Sequence, residues 1–308
     1  MNIQDLYKLL NDNSKNLTQE FKRLFHGRGE LYGQKWRFLT IDSIDDVLSV
    51  AFYFSIEKDI EIELLEMLKN FITHTRHTTL ILQRRYLKDT PTEILEGKLK
   101  DDLYVIENTL KIKLNLLSNQ NNGYFPDMKN GREFIKSISK DKKVLNLFSY
   151  TCAFSLSAIS GKALQVVNMD MAKNALNTGR ENHHINNLDT KKVKFYPHNI
   201  LKSFSRIKKD GPFDVVIIDP PTLQKGSFEA TKDYDKIIKR LDTFTSSNAI
   251  VMACLNSPDL DERFIIDIFT EFAANFKFIK RLQNVEEFKS LDESRSLKNL
   301  IFQKEELI

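Results

Sequence analysis

Two kinds of apolar pattern alternate along the second half of the chain. Short runs rich in β-branched residues predict buried parallel strands over residues 143–147, 164–169, 192–196, 213–217 and 249–253. Stretches with helical spacing between them predict helices over residues 154–160, 171–183, 200–208 and 230–245. A helix over 260–272 and strands over 276–282 and 297–302 follow. This alternation predicts an α/β fold with a Rossmann-like sheet.

The N-terminal part of the chain has a different pattern and predicts a small α+β domain over residues 1–100. Its helices are predicted over 3–10, 17–26 and 60–74, and its strands over 38–41, 47–54 and 79–86. Residues 101–125 predict a β-hairpin connector, and residues 126–308 form the Rossmann-like domain. An accessory domain beside a catalytic sheet favours a role in substrate recognition, although a packing role is the alternative.

Polar residues follow the predicted strands of the sheet. Asp219, Pro220 and Pro221 stop one strand at the edge where open α/β sheets bind ligands; the alternative is an aspartate that caps the next turn. Asp170 ends another strand, at the spacing from the preceding turn that suits an acceptor for ribose hydroxyls. Asn199 either reads the edge of an adenine or caps the next helix.

The first strand–helix turn departs from the usual glycine-rich sequence. Cys152 and Ala153 stand where glycine normally lets the backbone approach a nucleotide, so the general dinucleotide fingerprint is absent. Cys152 and Cys254 are the two cysteines of the chain, which excludes a disulfide framework. Six histidines without ligand spacing predict no metal site.

Composition narrows the class of protein without choosing a function. The chain has 308 residues, 41% of them hydrophobic and 29% charged, which is enough for a large core. No apolar stretch reaches the length of a membrane span, and the N-terminus lacks a signal-peptide pattern, so a cytoplasmic protein is expected. The net charge of +4 permits nucleic acid binding without requiring it.

Five segments together resemble class I S-adenosylmethionine-dependent methyltransferases, and more narrowly the bacterial 23S ribosomal RNA cytosine-5 branch with its uncharacterised relatives. They are residues 119–128 (NQNNGYFPDM), 146–151 (NLFSYT), Asp170, 219–221 (DPP) and 253–256 (ACLN). The resemblance covers roughly residues 78 to 303. Three features depart from that branch: Cys152 replaces a glycine, Asn199 replaces an acid, and no N-terminal PUA module is evident.

The resemblance implies S-adenosylmethionine as the cofactor. It assigns the methionine part to the loop 148–151, the ribose to Asp170, the adenine to Asn199, and an outer cover to residues 123–127. The full set of implied cofactor-binding residues is Asn121, Tyr124, Asp127, Phe148, Ser149, Tyr150, Thr151, Asp170, Met171, Asn199, Ile200 and Asp219.

Cys254 is the candidate nucleophile. Carbon 5 of a pyrimidine becomes nucleophilic when a thiolate adds to carbon 6, and Asp219 could share a proton with the ring N3 as that addition develops. A strand-end cysteine can equally be inert packing. Candidates for substrate contact are Arg132, Pro220, Pro221 and Phe228, and for Phe228 the alternative role is to pin a loop to the core.

The expected activity is therefore methylation of cytosine carbon 5 in RNA, with ribosomal RNA as the partner. The alternatives are N-methylation of an RNA purine by the Asp219-Pro220-Pro221 turn, a methyltransferase with a substrate other than RNA, and a nucleotide-binding module without turnover. Thr222 stands where amine-methylating enzymes usually carry an aromatic, which counts against the first of these. The oligomeric state is left open between monomer and homodimer.

Overall fold

The computed structural model describes residues 1–117, 121–224 and 228–305. The chain forms two compact units. The first unit comprises Met1–Pro126 together with Val285–Asp292, and the second comprises Asp127–Asn284 together with Glu293–Ile308. Among the described residues, no helix combines the length and the apolar character needed to cross a membrane.

The first unit is built on a five-stranded sheet with strand order β1-β2-β3-β4-β5. Strands β3 and β4 are parallel and the other neighbours are antiparallel, while β6 and β7 form a separate hairpin. Its elements are α1 (Ile3–Asn13), β1 (Lys22–His26), β2 (Leu39–Ile44), β3 (Val47–Phe52), α2 (Lys58–Thr73), β4 (Thr79–Arg84), β5 (Thr92–Glu96), β6 (Tyr104–Glu107) and β7 (Leu110–Lys113). The helices bury Leu6, Leu10, Leu64 and Leu68 in one core with the sheet.

The prediction of a second helix at 17–26 is wrong, because strand β1 occupies Lys22–His26. The register of β1 against β2 shifts between Arg23 and Phe25. This irregularity lets the consecutive residues Leu24 and Phe25 both be buried, which an unbroken alternating strand would not allow. The resulting apolar spacing imitates that of an amphipathic helix.

The second unit is a seven-stranded sheet with strand order β10-β9-β8-β11-β14-β16-β15. Strand β16 is antiparallel to both of its neighbours, and the remaining neighbouring pairs are parallel. Its elements are α3 (Lys129–Ile138), β8 (Lys143–Leu147), α4 (Ala153–Ser160), β9 (Gln165–Met169), α5 (Lys173–Ile185), β10 (Val193–Tyr196), α6 (Phe204–Asp210), β11 (Phe213–Ile218), β12 (Leu223–Gln224), β13 (Phe228–Glu229), α7 (Ala230–Ile238), β14 (Thr245–Leu255), α8 (Arg263–Phe272), β15 (Phe276–Arg281) and β16 (Lys298–Lys304). The predicted Rossmann-like α/β fold is confirmed.

Alternate residues of the central strands enter two different cores. On β11, Val216 and Ile218 pack in one core with α7 and α8, whereas Val215 and Ile217 pack in the other with α3 and α4. The central strands are apolar throughout because helices cover both faces of the sheet. The face of the sheet on which a side chain lies decides which other side chains at the strand ends it can contact.

The prediction of a single helix over 230–245 is too long. Helix α7 ends at Ile238, a 3₁₀ turn covers Leu241–Thr243, and β14 already begins at Thr245. The hydroxyl-bearing residues 245–247 favour an extended chain over a helix. Helix 200–208 is likewise divided into a 3₁₀ turn at Ile200–Lys202 and α6.

Candidate active site

The loop between β8 and α4 folds without any glycine. Phe148, Tyr150 and Cys152 all have left-handed backbone conformations, with φ of 57°, 45° and 64°. Each such residue costs on the order of 1–2 kcal/mol, and strain of this kind is characteristic of ligand-binding loops. Between them, Ser149 donates its N–H to the Met169 carbonyl at 3.3 Å. This loop and the end of β9 are therefore joined at the carboxyl edge of the sheet, where α/β folds bind ligands.

Asp170 lies at this end of the sheet, directly after β9. Its side chain is 8% exposed, and its Oδ2 accepts the N–H of Tyr150 at 2.9 Å while its Oδ1 accepts the N–H of Ala172 at 2.8 Å. Each carboxylate oxygen can accept more than one hydrogen bond, so the carboxylate is oriented by backbone and can still accept from a diol. This arrangement suits the ribose role that the sequence resemblance implies for Asp170.

Ser149 supplies an unsatisfied polar atom in the same loop. Its side chain is 6% exposed, and its Oγ is buried with no partner at hydrogen-bonding geometry in the described part of the chain. A buried hydroxyl without a partner is unfavourable unless a ligand or water completes it. The donor and acceptor set at Ser149 and Asp170 fits a cofactor that carries a ribose and a polar tail.

Cys152 fixes the start of α4 by packing. It is fully buried, and burial raises the pKa of its thiol well above the usual range. A Cβ at Gly179 of α5 would lie 2.5 Å from the Cys152 Sγ, so the sulfur fills the space that the glycine leaves. Helix α5 also supports the loop directly, since Asn182 Nδ2 donates to the Thr151 carbonyl at 3.1 Å.

Asn199 caps the 3₁₀ turn after β10, where its Oδ1 accepts the N–H of Lys202 at 3.3 Å. The capping role is thus confirmed, and the adenine role stays a prediction. Ile200 beside it is 4% exposed, while Met171, after Asp170, is 46% exposed. All three lie just beyond the carboxyl ends of β9 and β10, next to each other in the sheet.

Asp219 is half-buried at the end of β11 with a perturbed pKa. Burial raises the pKa of its carboxyl to about 7, the negative charge of Asp127 adds to the rise, and the Arg132 guanidinium opposes it. Arg132 lies on α3, is 2% exposed, and stands 6.0 Å from the ring of Phe154. A carboxyl that titrates near neutrality, in a crevice with a second carboxyl and a buried arginine, can exchange a proton with a substrate.

Cys254 lies on the same face of the sheet as Asp219. Strands β11 and β14 pair with Ile218 opposite Ala253, so the next residues of the two strands are neighbours. Cys254 is 1% exposed and packs in the core that also contains Ile217, two positions before Asp219. Burial and the charges of Asp219 and Asp127 raise the pKa of its thiol well above the usual range, so the resting side chain is a protonated thiol.

The residues around the Asp-Pro-Pro turn have distinct environments. Pro220 is buried and Pro221 is exposed. Phe228 is 3% exposed, and its ring stands 4.8 Å from Phe148 and 6.3 Å from Tyr234, all in the core under α7. This environment matches the alternative role of Phe228, which is to pin its loop to the core. Contact between Phe228 and a substrate stays a prediction.

Two of the predicted cofactor-binding residues belong to the first unit. Tyr124 is buried there; its hydroxyl donates to Glu107 Oε2, and its N–H donates to Asn122 Oδ1 at 3.1 Å. Asn121 is exposed, and Gly123 has a φ of 102° that favours glycine. Residues 119 and 120 of the same motif lie outside the described residues. The cofactor roles of Asn121 and Tyr124 stay predictions.

A buried polar chain beneath the loop was missed from sequence. Asn146 Nδ2 donates to Asn168 Oδ1 at 2.9 Å, Asn168 Nδ2 donates to Ser155 Oγ at 3.0 Å, and Ser155 Oγ lies 2.9 Å from His183 Nε2. His183 Nδ1 is 2.7 Å from the Gly179 carbonyl, which assigns the proton to Nδ1 and leaves Nε2 to accept. The signal was an asparagine in the same position of two otherwise apolar strands.

The sheet order, the loop after β8 and the acidic strand ends define a nucleotide-cofactor enzyme of the Rossmann-like class. A family model described as S-adenosylmethionine-dependent methyltransferase matches residues 22–303. The chain belongs to this family.

Relatives and solved structures agree with this family. The chain is 29% identical over 302 residues to YwbD of Bacillus subtilis (strain 168), named as a candidate ribosomal RNA large subunit methyltransferase, covering 92% of this chain and 74% of the relative. It is 36% identical over 128 residues to ribosomal RNA large subunit methyltransferase I of Pseudoalteromonas translucida (strain TAC 125), covering 41% and 32%. The fold matches SMU.776, a candidate methyltransferase complexed with S-adenosylhomocysteine, with a TM-score of 0.87, 24% identity and coverage of 98% and 82%.

The match to the Pseudoalteromonas translucida enzyme spans 32% of that enzyme's length, which is about a third. The family assignment therefore rests on the match over residues 22–303, whereas the activity and the substrate are matters for proposal.

Proposed function

We propose that this enzyme methylates carbon 5 of a cytosine in ribosomal RNA, with Cys254 as the nucleophile and Asp219 as its proton partner. The observation that carries the proposal is the convergence of these two side chains at adjacent strand ends on one face of the sheet. The names of the ribosomal RNA methyltransferases that resemble the chain support the choice of RNA. Such a substrate would place the enzyme in the cytoplasm.

The chemistry explains why a thiol and a carboxyl are needed together. The Cys254 sulfur adds to carbon 6 of the ring, and the electron pair of the carbon 5–carbon 6 bond becomes available at carbon 5. Bound S-adenosylmethionine supplies an electrophilic methyl group. Carbon 5 would form its new bond to this methyl group. Loss of the carbon 5 proton to solvent and cleavage of the sulfur–carbon 6 bond would then restore the aromatic ring and return the cysteine.

Asp219 is the proposed acceptor for the proton of the Cys254 thiol. The thiol pKa is raised by burial and by two carboxyls, so the proton must leave as the sulfur attacks. Asp219 has a pKa of about 7, which makes both its charged and its neutral form accessible near neutral pH. Its carboxylate can take the thiol proton, and its neutral form can then share that proton with the ring N3. Burial is the main cause of this raised pKa; the charge of Asp127 raises it further and the charge of Arg132 lowers it.

Trapping of the covalent adduct tests the proposal. RNA that carries 5-fluorocytosine at the target cannot lose the substituent at carbon 5, so the enzyme and RNA should stay joined under denaturing conditions. Cys254→Ala should form no adduct and transfer no methyl group. Cys152→Ala is the matched control and should do both, because Cys152 packs against Gly179. Methyl transfer by Cys254→Ala would refute the cytosine assignment.

A second reaction is N-methylation of a purine in RNA. The observation in its favour is that Cys254 is 1% exposed with two carboxyls raising its pKa, which suits a packing residue. In that case Asp219 and the Pro220 carbonyl would hold the acceptor amine. Cys254→Ala would then keep most of its activity, whereas Asp219→Ala would lose it.

For the first unit we propose the role of substrate recognition. The active-site edge of the second unit contains few features that would select one nucleotide among many. The first unit has its own core and sheet and can present a separate RNA-binding surface.

A further inference from the structure

Three strands of the first unit end at one edge of its sheet. Strand β2 is antiparallel to both β1 and β3, and β3 is parallel to β4, so the carboxyl ends of β1, β3 and β4 point the same way. Arg28 follows β1, Tyr53 follows β3, and Arg85 follows β4. The three residues meet: the Arg28 guanidinium carbon lies 4.3 Å from the centroid of the Tyr53 ring, and that of Arg85 lies 5.2 Å from it.

Arg28 is held in place by the backbone on both sides of it. It forms the middle of a 3₁₀ turn between Gly27 and Gly29, which are both buried. A Cβ at Gly27 would lie 1.9 Å from the Trp36 carbonyl oxygen, and a Cβ at Gly29 would lie 2.3 Å from the Lys289 carbonyl oxygen. The turn is thus packed too closely for any other residue at these positions. Arg28 itself is exposed, so a tightly packed turn presents its charge to solvent.

The charges at this edge are not balanced. Arg84 forms ion pairs with Glu61 and Glu93, so its guanidinium group already has carboxylate partners. Arg28 and Arg85 have no carboxylate partner among the described residues, although Arg85 donates to the neutral Gln83 Oε1 at 3.4 Å. Two unpaired guanidinium groups that share one ring repel each other, and an anion placed between them removes the repulsion.

An exposed aromatic comes directly after Tyr53 in the chain. This residue, Phe54, has 54% of its surface exposed, whereas four of the eight phenylalanine rings of this unit are buried. Charged guanidinium groups together with an open aromatic face form the combination that binds single-stranded nucleic acid, since the charges hold phosphates and the ring stacks on bases.

We propose that Arg28, Tyr53, Phe54 and Arg85 form a binding surface for a single-stranded segment of RNA. This surface rests on the proposed RNA substrate and extends it, because it lies in the first unit and contains none of the catalytic residues. The two arginines hold a phosphate, and Phe54 stacks on an adjacent base. An acidic protein segment would use the charges without needing the ring, which makes the two partners separable by experiment.

The first test removes the charges. Binding of fluorescein-labelled single-stranded RNA of mixed sequence to the full chain is measured by anisotropy over a series of salt concentrations. Arg28→Gln with Arg85→Gln should weaken binding roughly ten-fold or more at low salt and should reduce the salt slope by about one, as expected for the loss of one to two phosphate contacts. Calorimetry should find S-adenosylhomocysteine binding unchanged.

The matched control is Lys22→Gln with Lys98→Gln. It removes the same net charge from the opposite edge of the same sheet, since Lys22 begins β1 and the Lys98 carbonyl bonds to Thr79 at the start of β4. This control should bind RNA within about two-fold of the parent protein. Equal losses in the two double variants, or no loss in the arginine variant, overturn the proposal.

The second test removes the ring. Phe54→Ala and Phe54→Leu should both weaken RNA binding by roughly five- to ten-fold with little change in salt slope, because stacking needs an aromatic face and not merely an apolar side chain. Retained affinity in Phe54→Leu, or displacement of RNA by polyglutamate of equal charge, overturns the RNA assignment. If the parent protein binds no RNA at all, the proposed substrate itself fails; if it binds and the variants bind equally well, only this surface fails.

Discussion

Asp170 Oδ2 accepts the backbone N–H of Tyr150 at 2.9 Å, which joins the end of β9 to the strained loop after β8. The loop has left-handed residues on either side of Ser149 and no glycine to accommodate them. A carboxylate that orients the loop therefore has a structural role in addition to any contact with the cofactor.

Asp170→Ala should weaken S-adenosylhomocysteine binding by roughly ten- to a hundred-fold, the equivalent of about 1.5–3 kcal/mol for hydrogen bonds to a charged group. Isothermal calorimetry measures the affinity. Asp189→Ala is the control, because Asp189 also accepts a backbone N–H, that of Lys191 at 3.0 Å, but lies on an exposed turn. Unchanged affinity in Asp170→Ala would remove this residue from the cofactor site.

Asp219→Asn should stabilise the protein at alkaline pH. The pKa of Asp219 is raised from 3.8 to about 7, so over that interval the folded protein keeps a proton that the unfolded chain has lost, and stability falls as pH rises. The variant lacks this loss and should be more stable than the parent by up to about 4 kcal/mol above pH ~7, with little difference near pH ~4. Denaturant unfolding at both ends of the range measures the difference.

Asp127→Asn provides the companion measurement, since it removes a cause of the raised pKa and leaves the Asp219 carboxyl in place. It should recover part of the alkaline stability that Asp219→Asn recovers. A parent protein that is as stable as Asp219→Asn across the whole pH range would show that the Asp219 carboxyl is not perturbed.

Gly179→Ala should destabilise the second unit by about 1–3 kcal/mol, because the new methyl group would meet the Cys152 sulfur at 2.5 Å. Cys152→Gly should offset most of this loss in the double variant, since it removes the sulfur and also relieves a φ of 64° that glycine adopts without strain. Urea unfolding of the parent, both single variants and the double variant gives the coupling energy. Additive losses would show that the two residues do not meet.

His183→Gln should reduce the sensitivity of the protein to acid. Burial lowers the pKa of His183 from 6.5 to about 4, so the neutral ring contributes stability that is present above pH 6.5 and is lost as pH falls toward 4. The parent should therefore lose up to about 3 kcal/mol more than the variant over that range. His26 and His77 of the first unit have pKa values lowered in the same direction, and they titrate in both proteins.

Stability is measured against pH for the parent and for His183→Gln. The difference between these two curves isolates the effect of His183 from that of the other histidines. Parallel curves from neutral to acid pH would mean that burial does not hold the His183 ring neutral.

The N-terminal unit shows where sequence patterns mislead. Helix α1 and strands β2 to β4 were predicted close to their observed positions, because their apolar residues alternate or repeat regularly. The spacing of Leu24 and Phe25 predicted a helix, but an irregular strand buries both. Residues Val285–Asp292 also pack in this unit, where Phe288 lies 4.4 Å from the Arg23 guanidinium. That association joins distant parts of the chain, and no local pattern contains it.

The sequence by itself determined the fold of the second unit and the positions of its strand-end residues, because β-branched runs, helical spacing and proline stops are local properties of the chain. Asp170, Asn199 and Asp219 could be assigned to one edge of the sheet for that reason. Tertiary structure alone decided their chemistry. The pKa of Asp219 depends on Asp127 and Arg132, and the packing of Cys152 depends on Gly179 of another helix. Electrostatic and steric effects of this kind act through space, between residues that the chain brings together only when it folds.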